Sequence, residues 1–160
     1  MRRARVAVLA LVLLGTGMAA AIPVPALTVS DGQRQYHLVL QDGATLAYSY
    51  RQSIYGVIVV EEFVRSGDLL ELRRVVSDDI RSIEYFRWPT PISSDGRGYA
   101  TKPPTTVVPE LLIRITRSGE QRLRSGDREV ELLERFGETI VRVTLGRPAL
   151  LPSLIQGLTW

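Results

Sequence analysis

The chain has 160 residues, with 20 Lys plus Arg against 17 Asp plus Glu, a formal charge of +3, a single His and no Cys. Arg2, Arg3 and Arg5 supply the whole positive surplus, so residues 6–160 are neutral and lack the clustered cations that hold a nucleic acid. The absence of Cys excludes disulfides, thiolate metal sites, cysteine nucleophiles and lipid attachment at a lipobox, and the lone His37 excludes multi-His zinc and iron sites. A carboxylate-only site for a hard cation stays open. With no Asn in the chain, there is no N-glycosylation sequon.

Residues 1–22 open with three arginines, continue as an uncharged apolar run over 6–22 and close on Ala19, Ala20 and Ala21 before Pro23, the pattern of a secretory signal. Two fates remain open. Ala19 and Ala21 make a small-x-small cleavage site, while 17 residues at 1.5 Å each cover roughly 25 Å, close to a thin bilayer core. In either case the arginines stay cytoplasmic and residues 23–160 form an extracytoplasmic domain, either membrane-anchored or secreted.

From Ala26 the hydrophobic period shortens to that of strands. Runs rich in β-branched and aromatic residues occupy 26–30, 35–40, 45–50, 54–60, 69–76, 80–85, 111–116 and 139–144. Between them stand turn signals such as Ser30-Asp31-Gly32, Gln41-Asp42-Gly43, Ser66-Gly67-Asp68 and Ser125-Gly126-Asp127. Residues 89–109 carry five prolines and are expected as a long loop or a crossing between sheets. Residues 129–136 fit a short helix or a strand, and the alternation of Val130 with Leu132 favours the strand. The apolar tail 149–160 is too short to span a bilayer and is expected as a last strand or a packed segment. The expected fold is all-β, a single antiparallel β-sandwich or partly open barrel preceded by an N-terminal hydrophobic helix.

Residues 48–63 place core formers and polar groups in one segment. Ser53 with His37, oriented by Asp78 or Glu61, is the one route to a Ser-His-acid triad, but no Gly-x-Ser-x-Gly elbow surrounds Ser53. Glu61-Glu62 and Asp78-Asp79 offer carboxylates for glycoside hydrolysis or a cation, yet neighbours on a strand face opposite ways, so one of each pair at most enters a shared site. Arg73, Arg74, Arg81 and Arg87 near Tyr85, Phe86 and Trp88 suit an anionic ligand or, equally, ion pairs with Asp78, Asp79 and Glu84. Asp95-Gly96-Arg97-Gly98 is a turn and not a phosphate cradle.

Tyr50, Ser53, Ile54, Val59, Glu61 and Phe63, with the Ile22-Pro23-Val24-Pro25 exit from the apolar segment, carry a resemblance. The chain resembles the domain-of-unknown-function family eighteen-fifty, small anchored proteins found beside components of TRAP (TAXI-type) solute transporters. Members of that family read Tyr-x-His-Ser-Val and then Thr-Pro-Val-x-Glu-x-Phe. Here Gln52 stands in place of the His and Val57-Ile58 in place of Thr-Pro, so no role of that His carries over. The likeness covers residues 1–65. It implies a non-enzymatic accessory or binding module in the company of TRAP-type transporter components, and membrane attachment through residues 6–22 if they are retained.

Tyr50, Arg51, Gln52, Ser53 and Glu61 are the expected ligand-binding residues, with Arg81 and Arg87 as secondary candidates. In a regular strand, alternation puts Tyr50 and Gln52 on one face and Arg51 and Ser53 on the other. No catalytic residue, metal ligand or cofactor is assigned. The rival readings are an extracytoplasmic hydrolase using carboxylates or Ser53, and a structural envelope protein.

Overall fold

The computed structural model describes residues 23–94, 96–104 and 106–148. The N-terminal segment 1–22 and the tail 149–160, and with them the signal or anchor and the last packed segment, lie outside the described residues. The rest is mostly β, in two antiparallel sheets.

The smaller sheet joins β1 (Ala26–Ser30), β2 (Gln35–Val39), β12 (Ile140–Gly146) and β9 (Glu110–Arg114) in the order β2-β1-β12-β9. The larger runs β11 (Arg128–Glu131), β10 (Arg122–Ser125), β3 (Thr45–Arg51), β4 (Ile58–Ser66), β5 (Leu69–Ser77), β7 (Tyr99–Thr101) and β6 (Ile92–Ser94), and β8 (Thr106–Val108) also pairs β5. Hairpin chemistry sets the joins. Between β1 and β2, Asp31 Oδ1 accepts the amides of Gln33 and Arg34 at 2.9 and 2.7 Å. Between β4 and β5, Gly67 takes φ 62°, a left-handed conformation costly for any other residue.

Alternation turns one side of each strand inward. Leu27, Val29, Leu38, Val141 and Val143 from the small sheet meet Leu46, Phe63, Leu70, Val75 and Leu123 from the large one in a single hydrophobic cluster, giving a sandwich-like arrangement. Strand β5 keeps this pattern through a bulge. Glu62 pairs Arg74 but Phe63 pairs Leu72, so Arg73 is an extra residue and both arginines face out while Leu72 and Val75 face in.

Several sequence expectations change. Residues 80–85 are not a strand: Ile80–Glu84 forms helix α1, because Asp79 caps it by accepting the Arg81 amide at 2.9 Å and a helical turn buries Ser82 and Ile83 together. As a strand, either face of this run would have carried a charge inward. The strand expected at 54–60 begins only at Ile58. Residues 129–136 divide into β11 and a short helix α2 (Leu132–Phe136), which buries Leu132 and Phe136 one turn apart and stops at Gly137 with φ 73°. Within 89–109 lie the three short strands β6, β7 and β8, and the crossing between sheets falls at Pro109, between β8 of the large sheet and β9 of the small.

A candidate binding site on the inner face of the large sheet

Strands β3 and β4 pair in the register Tyr48↔Glu61 and Tyr50↔Val59. Further pairings extend this into a row across five strands: Leu123, Tyr48, Glu61, Val75 and Thr101, from β10 to β7. Glu61 stands at its centre. Its neighbours along β4 on the same face are Val59 and Phe63, both buried, so every flanking side chain on its face of the sheet is uncharged.

Glu61 is half-buried, and the Tyr50 hydroxyl donates a hydrogen bond to its Oε1 at 3.1 Å. Burial raises the Glu61 carboxyl above the ordinary glutamate range, and the Tyr50 hydrogen bond opposes this only in part. Burial and then the Glu61 charge push both Tyr48 and Tyr50 above the usual phenol value, so both stay protonated donors. Their rings stack 5.1 Å apart with 28° between planes.

Gln52 belongs to the same face. The ladder continues one step past Arg51, with Gln52 N–H donating to Val57 O at 2.8 Å, and Gln52 is 7% exposed while Arg51 and Ser53 on either side are exposed. Its Oε1 is buried with no hydrogen-bond partner. An unmatched buried acceptor costs about 1–3 kcal/mol.

The other expected residues are not part of this cluster. Arg51 points outward into a two-point ion pair with Glu120, 2.9 Å from Nε to Oε1 and 2.9 Å from Nη2 to Oε2, and also donates to Gly56 O at 2.5 Å. Ser53 is exposed in the turn 53–56. Arg81 pairs with Asp79 and lies 5.1 Å over the Tyr55 ring, which pins α1 beside that turn. Arg87 is exposed with φ 51°, just beyond α1. Of the seven residues, Tyr50 with Glu61, and Gln52, face inward, Arg51 and Arg81 form outward ion pairs, and Ser53 and Arg87 lie outside this face. Tyr48, not among the expected site residues, joins the inward group. Its signal was available, since it sits two residues before Tyr50 and directly opposite Glu61 in a short hairpin.

His37 belongs to the other sheet, where Nδ1 lies 3.0 Å from Thr28 Oγ1, and burial lowers its pKa. Ser53 lies in a turn of the large sheet, away from that hydrogen bond. Glu62 faces out to Arg74 and Arg73 pairs with Glu71, so the arginine strip is largely engaged within the chain. Arg74 also borders a cleft of about 410 Å³ with Lys102, Thr90 and Thr101. Among the described residues, no group of three or more His, Asp or Glu comes together to hold a metal ion. Comparison with protein-family models, with curated proteins and with solved structures gave no match.

Proposed function

We propose that the chain is a non-enzymatic extracytoplasmic binding or accessory module, tethered or secreted by way of residues 1–22 and working beside a TRAP (TAXI-type) solute transporter. The observation that carries the binding role is the Tyr50–Glu61 contact of 3.1 Å on the inner face of the large sheet, where the carboxylate meets a hydroxyl and aromatic rings rather than a base or a second acid. Hydrolysis of a glycosidic bond asks for two carboxyl groups about 5 to 10 Å apart around one cleft. On the Glu61 face the row neighbours are Tyr48 and Val75, which favours recognition over acid–base chemistry. The resemblance over residues 1–65 supplies the location and the transporter.

The test is co-purification. Intact chain, tagged at its C-terminus and extracted in mild detergent, should bring down a TRAP-type permease or solute-binding component. Repeated recovery without any transporter component would overturn the transporter role.

A further inference from the structure

We propose that the cleft between Arg74 and Lys102, beside β5, binds a small organic carboxylate. The site is separate from the Tyr50–Glu61 contact and from the transporter, and it stands or falls without them.

A break in the large sheet gives the cleft its place. β7 pairs β5 through Val75, Val76 and Ser77, and β8 pairs it through Leu70, Glu71 and Leu72. Arg73 and Arg74, at the bulge, fall between the two partners. The connection across this gap, residues 102–105, contains Pro103 and Pro104, which have no N–H to extend either ladder. The cleft borders the gap at Arg74, and its volume of about 410 Å³ falls within the roughly 300–1,000 Å³ of small-molecule sites.

The lining selects the ligand. Arg74 and Lys102 are its charged side chains, and no carboxylate lines it. Arg74 is held by Glu62 through Nε and Nη2, at 3.0 and 2.8 Å, which fixes the guanidinium and offsets its charge. Lys102 makes no ion pair among the described residues, so its ammonium is the surplus charge of the cleft. Its backbone is fixed, because Thr90 Oγ1 donates to Lys102 O at 2.6 Å and lies 2.9 Å from Thr101 Oγ1. Ser93 Oγ likewise donates to Ala100 O, at 3.3 Å, so the wall hydroxyls are committed to the chain and the ammonium remains the donor for a ligand. A carboxylate matches that single charge, whereas a phosphate dianion would bring excess negative charge beside Glu62. Ala100 pairs Val76 and Ser93 on the face that carries Arg74, and its methyl, with Pro91, offers an apolar wall for an organic body.

The experiment is an amide chemical-shift titration of the isotope-labelled full chain, in nonionic detergent and Tris chloride, with butyrate, butyramide and inorganic phosphate. Butyrate should shift the amides of Ala100, Thr101 and Lys102 saturably, and butyramide should leave them in place. Lys102→Gln, at an exposed position, should weaken butyrate by about fivefold or more. Arg117→Gln, which removes an exposed cation of a different ion pair, should leave binding unchanged. Ala100→Leu should abolish binding by filling the cleft while the remaining amide shifts keep their dispersion. No saturable shift with butyrate, an equal response to butyramide, tighter binding of phosphate, or wild-type affinity in Lys102→Gln would overturn the site. Co-purification of a transporter component bears on none of these outcomes, so the two readings fail separately.

Discussion

Two charged side chains point into the sandwich from β4, Arg65 and Glu61, and they are treated in opposite ways. Arg65 is 2% exposed and every direction of its guanidinium is used: Nε donates to Gly67 O, Nη1 to Leu40 O, and Nη2 lies 3.7 Å from Asp68. Glu61, with Phe63 between it and Arg65, accepts from one hydroxyl, that of Tyr50. A buried charge surrounded by fixed partners holds loops together; a half-buried carboxylate with a single hydroxyl partner is pushed toward its neutral form. The first is architecture, since Arg65 ties the 40–44 connection to the β4–β5 turn. The second is a carboxyl whose charged form burial disfavours.

The strongest way to break this comparison is to remove Arg65. Arg65→Met keeps much of the volume but strips the Leu40 and Gly67 carbonyls of their donor. It should lower unfolding stability by about 3 kcal/mol, read from the urea midpoint at constant m-value. A change within a few tenths of a kcal/mol would show that water reaches these carbonyls and that Arg65 is no clasp.

Tyr50→Phe tests the other half. It removes the donor to Glu61 and leaves the ring, so it should cost about 1.5 kcal/mol at neutral pH, the worth of one hydrogen bond to a charged acceptor. The cost should shrink in acid, where the carboxyl carries its own proton.

The Glu61 charge also sets a pH signature of unusual sign for a carboxylate. Its folded pKa is raised by burial, so between the ordinary glutamate range and that raised value the folded state binds more protons than the unfolded one. Stability from this group is present at low pH and lost as pH rises through the window. Asp31, Asp79 and Glu120, held low by backbone or arginine partners, contribute the opposite slope. The difference between wild type and Glu61→Gln isolates the effect: the variant should gain stability relative to wild type as pH climbs from 4 to 7. The groups nearest Glu61 are Tyr48, Tyr50 and Val75, and none of them titrates there. A difference that is flat across this range would mean the carboxyl is as well solvated folded as unfolded.

How much of this could be read from the sequence depends on which force decides each element. Strands β1, β2, β3, β5, β9 and β12 were legible because their apolar periodicity is period two and their turns carry Asp and Gly. The segment 80–85 misled because Ile80 and Ile83 look like strand formers, and only the cap at Asp79 and the need to keep Arg81 and Glu84 in water reveal the helix. The bulge at Arg73 has no local signal beyond two consecutive arginines in an alternating run. At the site, alternation already separated Tyr50 and Gln52 from Arg51 and Ser53. That Arg51 is consumed by Glu120, 69 residues away, is a tertiary fact no spacing announces.

The smallest expected effect is the sharpest control, because Glu62 differs from Glu61 only in which way its strand position faces. Glu62 meets Arg74 in a two-point pair, 3.0 and 2.8 Å, with side chains 29% and 50% exposed. Exposed pairs of this kind are worth about 0.5 kcal/mol or less, since solvent screens the attraction and two long side chains lose freedom. Glu62→Gln should therefore shift the urea midpoint barely, by no more than about 0.5 kcal/mol. If its stability change matched that of Glu61→Gln at neutral pH, net charge on β4 would be the cause. The distinction between the two faces would then fail, and the inward site with it.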